Sequence, residues 1–368
     1  MKTVCEKNKC AGCMVCVEAC PKKAISIQDE ISFYNAVIDN KCIDCGLCYK
    51  MCPQKNTHEF IKPKVWYQGW AKNDSVRGNS SSGGLATALS LNFVNNGGIV
   101  YSCCFEKGKF VFSKATNKEE VKRFVGSKYV KSNPKGVYSA IKSDITNSNK
   151  VLFIGLPCQV AALKKYIGEP NHKSLFTVDL ICHGTPSPKL LELFLNQYNR
   201  TLESMDEITF RKKTKMQIWG DNEGIIKKGV SDKYTIAFVN GLTYTENCYE
   251  CSFAKTERIS DIPLGDSWGN QLSPEENKKG ISLVLCQTKK GEELLENSDI
   301  ELVDVNLEQA ISKNKQLRHP SIMPKRRRKF FESIKQRKSV NKEVFKSYPL
   351  QCLKQNVKET LIGLKIIK

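Results

Sequence analysis

Long apolar runs are absent from this 368-residue sequence. No stretch reaches the roughly 18 apolar residues that a membrane-spanning helix requires, so we expect no transmembrane segment. The first residues, Met1 to Cys5, turn polar at once and lack the apolar core of a secretory signal peptide. The sequence therefore predicts a cytoplasmic protein.

Cysteine, in contrast, is abundant, with 17 residues. In a reducing compartment so many cysteines indicate metal or redox chemistry rather than a disulfide framework. Residues 10–53 contain a repeat in which Cys-x2-Cys-x2-Cys-x3-Cys-Pro occurs twice. The repeated cysteines are Cys10, Cys13, Cys16 and Cys20, followed by Cys42, Cys45, Cys48 and Cys52.

This spacing is typical of proteins that hold two [4Fe-4S] clusters. Three closely spaced thiolates surround one cluster, and the fourth cysteine, next to proline, reaches the other cluster. The predicted ligands of the first cluster are therefore Cys10, Cys13, Cys16 and Cys52, and those of the second are Cys42, Cys45, Cys48 and Cys20. Zinc is the alternative, but zinc ribbons use pairs of cysteines separated by a longer loop. Cys5 lies outside the pattern, and we expect it to be a free thiol.

Four further cysteines are candidate ligands of a third cluster. Cys158 and Cys182 each follow a predicted strand, within Gly-Leu-Pro-Cys-Gln and Cys-His-Gly-Thr-Pro. Neighbouring parallel strands would bring both to the carboxyl edge of one sheet, where such folds bind ligands. Cys248 and Cys251 add a Cys-x2-Cys pair. The spacing leaves a [4Fe-4S] cluster, a zinc site, a redox dithiol and buried thiols all open. Core positions are expected for the other four cysteines, which are Cys103, Cys104, Cys286 and Cys352.

The periodicity predicts an α+β ferredoxin-like domain followed by an α/β catalytic domain with a mixed, largely parallel sheet. Residues 150–200 alternate strand and helix, which indicates parallel pairing with a right-handed crossover. A hairpin is expected around Glu106-Lys107-Gly108, and residues 54–66 have the composition of a linker. The predicted regions are 1–60 (ferredoxin domain), 66–150 (cofactor-binding part), 151–320 (part with the core cysteines) and 321–368 (basic tail, interpreted as a surface appendage).

A serine- and glycine-rich segment precedes a predicted helix over Leu85 to Phe93. Ser80, Ser81, Ser82, Gly83 and Gly84 provide hydroxyls, backbone N–H groups and the positive end of a helix dipole, which suit a pyrophosphate. An ordinary helix cap explains the same residues without a ligand. Lys128 and Tyr129 could add a cation and an aromatic face.

These segments, in this order, resemble the coenzyme F420 hydrogenase/dehydrogenase beta-subunit family over roughly residues 66–320. The motifs that carry the resemblance are Ser-Ser-Gly-Gly, Gly-Ser-Lys-Tyr-Val, Gly-Leu-Pro-Cys-Gln, Leu-Ile-Cys-His-Gly-Thr-Pro-Ser and the stretch from Asn247 to Gly269. The resemblance implies a non-covalent FAD beside an iron–sulfur cluster. It places Ser82 to Gly84, Lys128 and Tyr129 on flavin-binding stretches, and Cys158, Cys182, Cys248 and Cys251 on the core cysteines.

The expected function is that of a flavin and iron–sulfur oxidoreductase. A flavin can couple single-electron clusters to a two-electron substrate, here a small-molecule hydride carrier such as F420 or another organic compound. An electron-relay subunit of a larger redox complex and a thiol reductase using Cys248 and Cys251 are the alternatives.

The formal net charge of +20 bears on the partners. Each cluster with its thiolates contributes roughly −2, which leaves the chain strongly basic. A basic surface fits an acidic redox protein, a redox-complex subunit or a membrane surface contacted by the tail, where Lys325 to Lys329 form the densest basic run. We expect no nucleic-acid partner, because positive charge is the only feature that would indicate one and the sequence contains no recognisable nucleic-acid-binding motif.

Overall fold

The computed structural model of the chain describes residues 2–221, 223–225 and 229–366. Its N-terminal part is a small antiparallel sheet with two short helices. The strands, in the spatial order β1-β3-β2, are β1 (Lys2–Thr3), β2 (Ile25–Asp29) and β3 (Tyr34–Ile38). The helices α1 (Val15–Ala19) and α2 (Leu47–Met51) each lie within one copy of the cysteine repeat.

An eight-stranded sheet forms the centre of the larger part. Its strands are β4 (Val65–Ala71), β5 (Ile99–Glu106), β6 (Lys109–Ala115), β7 (Val151–Gly155), β8 (Leu175–Leu180), β12 (Ile262–Asp266), β13 (Ser282–Cys286) and β14 (Ile300–Val303), in the spatial order β14-β4-β13-β12-β8-β7-β5-β6. A separate antiparallel sheet contains β9 (Ile208–Lys212), β10 (Lys215–Gly220) and β11 (Glu223–Gly224).

Helices cover the sheets and form the C-terminal part. They are α3 (Asp74–Asn79), α4 (Leu85–Asn95), α5 (Lys118–Lys122), α6 (Val137–Thr146), α7 (Pro157–Ile167), α8 (Pro188–Leu195), α9 (Lys233–Val239), α10 (Pro274–Lys279), α11 (Lys289–Glu296), α12 (Leu307–Lys313), α13 (Arg327–Lys335), α14 (Val340–Ser347) and α15 (Pro349–Gly363). No helix of the described ranges has the length and apolar character needed to cross a bilayer.

Parallel pairing is confined to the centre of the large sheet. The strands β5, β7, β8 and β12 pair parallel, as predicted for the alternating strand–helix region. The outer strands β6, β13, β4 and β14 all pair antiparallel. The predicted hairpin is confirmed, since β5 and β6 pair through Glu106 and Lys109. The sheet is therefore mixed with a parallel core, and less parallel as a whole than the sequence predicted.

The N-terminal part is docked onto the larger part by specific polar contacts. The Glu18 carboxylate accepts hydrogen bonds from the backbone N–H groups of Gly136 (2.7 Å) and Ser139 (3.0 Å), at the start of α6. Asp29 accepts from the Ser187 hydroxyl at 2.5 Å. The predicted linker is also packed, because Ile61 exchanges backbone hydrogen bonds with Arg258.

The C-terminal segment is not the surface appendage that the sequence suggested. Phe330, Phe331 and Ile334 of α13 and Val344 of α14 are buried in a hydrophobic core that also contains residues of α8, β9 and α9. The basic residue Arg327 is itself buried. The amphipathic pattern of this segment therefore covers the core of the larger part.

Candidate iron–sulfur and cofactor sites

The two copies of the cysteine repeat fold alike. Each short helix begins after a residue with left-handed backbone, Met14 (φ 61°) for α1 and Gly46 (φ 72°) for α2. Each helix ends at an extended cysteine, Cys20 or Cys52, which leads the chain away toward the other copy. This local geometry explains how the fourth cysteine of each repeat leaves its own group.

The two copies of the repeat bring their cysteines close to one another. Burial raises the pKa of Cys16, and the neighbouring thiolates of Cys10, Cys52 and Cys48 add to the effect. Burial also raises the pKa of Cys48, with Cys42 and Cys20 as its cysteine neighbours. Mutual repulsion of this kind requires the sulfurs of each group to lie close together.

The second group lines a small cavity, and backbone N–H groups point at the sulfurs. Asp44 N–H lies 3.4 Å from the Cys42 sulfur, and Ala24 N–H lies 3.3 Å from the Cys20 sulfur. The cavity walls include Cys20, Cys42, Cys45, Cys48, Ile25 and Ile38. Thiolates with N–H donors in an apolar shell are the surroundings that an iron–sulfur cluster requires. These residues therefore fit the predicted cluster.

Cys5 is a free thiol, as predicted, but other cysteines lie next to it. It is buried, and its closeness to the Cys10 and Cys52 thiols raises the pKa of Cys5. The neighbouring Cys5 thiol is also the main reason why the pKa of Cys52 is lowered to about 7. Cys5 follows β1, and pairing of β1 with β3 brings it to the first group. No spacing rule in the sequence indicates this position.

The four candidate cysteines of the larger part also converge. Cys158 begins α7 after β7, and Cys182 follows β8, so both lie at the carboxyl edge of adjacent parallel strands, as predicted. Burial raises the pKa of Cys158 to about 12, with Cys251 and Cys248 as its thiolate neighbours. Burial likewise raises the pKa of Cys182, and the other three cysteines of this group contribute.

All 17 cysteines are free thiols in the structure. In the described part of the chain, no three His, Cys, Asp or Glu side chains are close enough to hold a single metal ion between them. A four-iron cluster needs a wider set of thiolates than one ion does.

A buried ion pair supports the core cysteine group. Asp179, at the end of β8, is fully buried and accepts a hydrogen bond from Arg258 Nε at 3.1 Å. Arg258 Nη1 donates to the Phe253 carbonyl at 2.7 Å, two residues after Cys251. Ser260 donates its hydroxyl to the same carboxylate at 2.8 Å. The pair thus ties the strand that precedes Cys182 to the loop that carries Cys251.

The core cysteines are adjacent to the first ferredoxin group. Cys13 lies in the same hydrophobic cluster as Cys158 and Cys251. The Tyr138 hydroxyl donates to the Cys13 carbonyl at 2.8 Å, and Tyr138 is itself completely buried. The first ferredoxin group therefore lies next to the core cysteines.

The Ser80 to Gly84 segment precedes α4, as predicted, but its polar groups are largely used by the fold. The Ser80 hydroxyl donates to the Val76 carbonyl at 2.7 Å, and the Ser82 hydroxyl donates to the Ile281 carbonyl at 2.9 Å. Neither hydroxyl is free in this arrangement to bind a phosphate.

Gly83 is explained by packing rather than by an approaching ligand. A Cβ atom at this position would lie 2.4 Å from the Gly69 carbonyl oxygen of β4. Its N–H donates to the Ser282 hydroxyl of β13 at 3.1 Å. Gly84 has left-handed backbone (φ 85°), and α4 begins there without a side-chain cap. Of the features that predicted a pyrophosphate site, the uncapped start of α4 is therefore the one that the fold does not use.

The second predicted segment does join the first, because Ser127 N–H donates to the Ser81 hydroxyl at 2.9 Å. Lys128, however, donates to the carbonyls of Phe124 (2.8 Å) and Val125 (3.0 Å), and burial lowers its pKa. Its ammonium group is therefore held by its own segment, and its recorded hydrogen bonds do not reach the Ser80 to Gly84 segment in the described residues.

Tyr129 belongs to an aromatic and charged cluster next to these segments. Its ring stacks on Phe238 with centroids 4.4 Å apart. Arg211, close to the Tyr129 hydroxyl at 3.5 Å, pairs with Asp266 through two hydrogen bonds of 2.6 and 2.9 Å. The Arg211 guanidinium also lies 5.4 Å from the ring centre of the partly exposed Trp268.

Lys213 is a candidate cation that the sequence did not indicate. It lies in the turn between β9 and β10, and its ammonium group donates to the carbonyls of Ser82 (3.1 Å) and Arg77. Burial lowers the pKa of Lys213 to about 8, and the positive charges of Arg77 and Arg211 add to the effect. Arg77 and Arg211 each pair with a carboxylate, whereas Lys213 has no carboxylate within ion-pair distance among the described residues.

Comparison with known proteins gives three matches along the chain. Residues 9–56 match a 4Fe-4S dicluster domain. Residues 66–136 match the N-terminal part, and residues 148–308 the C-terminal part, of the coenzyme F420 hydrogenase/dehydrogenase beta subunit. Together the two beta-subunit matches cover more than half of the chain.

Two individual relatives were also found. The coenzyme F420-dependent sulfite reductase of Methanocaldococcus jannaschii is 25% identical over 333 residues, which are 86% of this chain and 50% of the relative. The chain thus spans about half the length of that protein. A chain in a structure of the F420-reducing [NiFe] hydrogenase complex from Methanosarcina barkeri superimposes with a TM-score of 0.49 at 20% identity, covering 70% of this chain and 91% of that one.

The cysteine groups and the dicluster match define an iron–sulfur redox protein. The matches to the larger part identify the family. The chain belongs to the coenzyme F420 hydrogenase/dehydrogenase beta-subunit family.

Proposed function

We propose that the chain is an iron–sulfur flavoprotein oxidoreductase. Electrons pass between the two ferredoxin clusters, a third [4Fe-4S] cluster at the core cysteines and an FAD. The FAD exchanges a hydride with a small-molecule carrier, of the F420 type or another organic compound. An acidic redox protein or another subunit of a redox complex exchanges single electrons at the ferredoxin end.

The carrying observation is the contact between the first ferredoxin group and the core cysteines. Cys158 and Cys251 of the core group pack against the hydrophobic cluster that contains Cys13 of the first ferredoxin group. Two cofactors held by these residues would be near neighbours in a dry environment. The proposed ligands are Cys10, Cys13, Cys16 and Cys52 for the first cluster, Cys20, Cys42, Cys45 and Cys48 for the second, and Cys158, Cys182, Cys248 and Cys251 for the third.

The proposed FAD site is the region around the start of α4. FAD supplies the one- and two-electron chemistry that single-electron clusters lack. The uncapped N-terminus of α4 and the ammonium group of Lys213 would hold the negative diphosphate. Tyr129 and Trp268 provide aromatic surface in the adjoining cluster. Lys128 has a positioning role, since it fastens its own segment.

Iron analysis of the full chain tests the three clusters. Anaerobically purified protein should contain about 12 irons and 12 sulfides, four for each cluster. Cys251→Ala should lose about four irons while the ferredoxin clusters remain. Cys352→Ala, at a buried cysteine outside all three groups, is the matched control. Equal iron content in both variants would show that Cys251 is not a cluster ligand.

Flavin quantification tests the second half of the proposal. The wild-type protein should retain or take up about one FAD per chain, and Lys213→Met should weaken FAD binding because a cation near the diphosphate is lost. Lys215→Met, at an exposed lysine of the neighbouring strand β10, should leave FAD binding unchanged. Wild-type protein that takes up no flavin would contradict the flavoprotein assignment.

An electron-relay subunit without its own substrate is the second candidate function. It is favoured by the internal hydrogen bonds of Ser80, Ser82 and Gly83, which leave few groups for a diphosphate. A relay would contain the 12 irons and accept electrons from artificial donors, but it would bind no FAD. The same iron and flavin measurements therefore separate the two candidates.

A further inference from the structure

Lys131 is a buried lysine between two of the cysteine groups. Its backbone N–H donates to the Pro186 carbonyl at 2.8 Å, in the loop that follows Cys182. Its side chain extends the other way and donates to the Ala11 carbonyl at 3.1 Å, between Cys10 and Cys13. The residue as a whole is only 6% exposed. One residue thus connects the core loop, through its backbone, with the first ferredoxin loop, through its side chain.

The ammonium group of Lys131 has few partners for a buried charge. Among the residues that the structure describes, no carboxylate lies within ion-pair distance of it. Besides the Ala11 carbonyl, it lies 5.3 Å from the centre of the Tyr34 ring. A buried cation is costly unless negative charge compensates it. The protein chain itself supplies too little compensation at this position.

This cation lies beside cysteines of both groups. Its hydrogen bond to the Ala11 carbonyl holds it against the loop of the first ferredoxin group, and Cys13 of that loop shares a hydrophobic cluster with two of the core cysteines. The lysine side chain approaches the first loop closely, because a Cβ atom on Gly12 would lie 3.0 Å from Lys131 Cδ.

We propose that Lys131 is the shared counter-charge of two iron–sulfur clusters, the first ferredoxin cluster and the core cluster. This inference rests on the proposed function. Each cluster with its thiolates carries net negative charge, and reduction adds one more negative charge. A fixed cation next to both clusters stabilises the reduced form of each and lessens the repulsion between them. The second ferredoxin cluster, whose cysteines have no such contact with Lys131 in the described structure, is outside its direct influence.

Redox titration of the loaded full-length protein, followed by electron paramagnetic resonance, tests this role. Lys131→Met should lower the midpoint potentials of two clusters. The expected change is about tenfold in the reduction equilibrium, or about 59 mV for a one-electron couple. Lys131→Arg should restore both potentials because it keeps the charge. Lys131→Gln, which keeps a donor for the Ala11 carbonyl, should behave like Lys131→Met.

Lys135→Met is the matched control, since Lys135 is exposed on the same segment. The cluster signals are assigned with Cys251→Ala and Cys45→Ala, which remove the core and second ferredoxin clusters respectively. Loss of iron in the Met and Gln variants but not in the Arg variant would also support the role of the charge. Potentials unchanged in Lys131→Met, an equal shift of all three clusters, or loss of iron in the Arg variant as well would overturn it. Wild-type protein without about 12 irons would instead refute the proposed function.

Discussion

Neutralising Asp179 isolates the contribution of the buried ion pair behind the core cysteines. Asp179→Asn keeps the shape of the side chain but leaves Arg258, which is 1% exposed, without its counter-charge. Breaking a buried pair in this way costs about 3–5 kcal/mol. With about 2–4 °C lost per kcal/mol for a domain of this size, the apparent melting temperature should fall by about 10 °C.

The assay is thermal unfolding of the anaerobic, cluster-loaded protein at one fixed scan rate, because cofactor loss makes unfolding irreversible. The double variant Asp179→Leu/Arg258→Met should recover much of the loss, since no charge remains buried without a partner. Arg200→Met breaks an exposed ion pair with Glu223 and should cost less than about 1 kcal/mol. A double variant that is less stable than Asp179→Asn, or an equal loss in Arg200→Met, would refute the reasoning.

Three further predictions concern other parts of the chain. Gly83→Ala should lower the melting temperature whether or not flavin is present, because its Cβ would clash with the Gly69 carbonyl, whereas Gly78→Ala, which has open space, should not. FAD affinity should fall as the pH rises through about 8, because Lys213 loses its charge there, and calorimetry should show a weaker dependence in Lys213→Arg. The lowered Lys213 pKa also means that the unfolded chain binds more protons between pH 8 and 10.5, so this residue makes the folded state relatively more stable as the pH rises across that range. Electron transfer with an acidic ferredoxin should slow as salt rises, and replacing the exposed Lys325, Arg328 and Lys329 with Gln should flatten that dependence, while reaction with a neutral dye stays unchanged. An identical salt dependence in the variant would exclude this run as the docking surface.

Arg327 must be left out of that variant, although it belongs to the basic run. It lies in the middle of the basic run but is buried, and its guanidinium donates to the carbonyls of Ser32 (2.6 Å) and Tyr244 (2.9 Å). Replacing it would disturb the contact between the ferredoxin part and the larger part. A run of like charges does not reveal which member turns inward, because that depends on the neighbours that the fold supplies.

Local sequence patterns were sufficient to predict the parts of the candidate site that depend on short spacing along the chain. The strand–turn–helix units that carry Cys158 and Cys182 were predictable because apolar periodicity and turn residues determine them within about 15 residues. The convergence of these two cysteines follows from parallel pairing of β7 and β8. Their joint position at one sheet edge is therefore a consequence of local sequence and a general rule of topology.

Contacts between distant segments could not be predicted in the same way. Asp266, at the end of β12, pairs with Arg211 from a different sheet. Asp261 accepts hydrogen bonds from the Thr177 backbone (2.8 Å) and from the Thr288 hydroxyl (2.6 Å), so it fastens β8 to the start of α11. Lys131 and Lys213 look like ordinary surface lysines in the sequence. Only the packing of remote loops gives these residues their surroundings.

The contact between Glu18 and the start of α6 bears on how electrons would travel. Because α1 of the ferredoxin part caps a helix of the larger part, the N-terminal part is held as a fixed arm rather than as a tethered shuttle. The distance between cofactors would then be set by the fold, and internal electron transfer would be insensitive to solvent viscosity. A swinging carrier slows in a viscous medium, whereas a fixed arm does not.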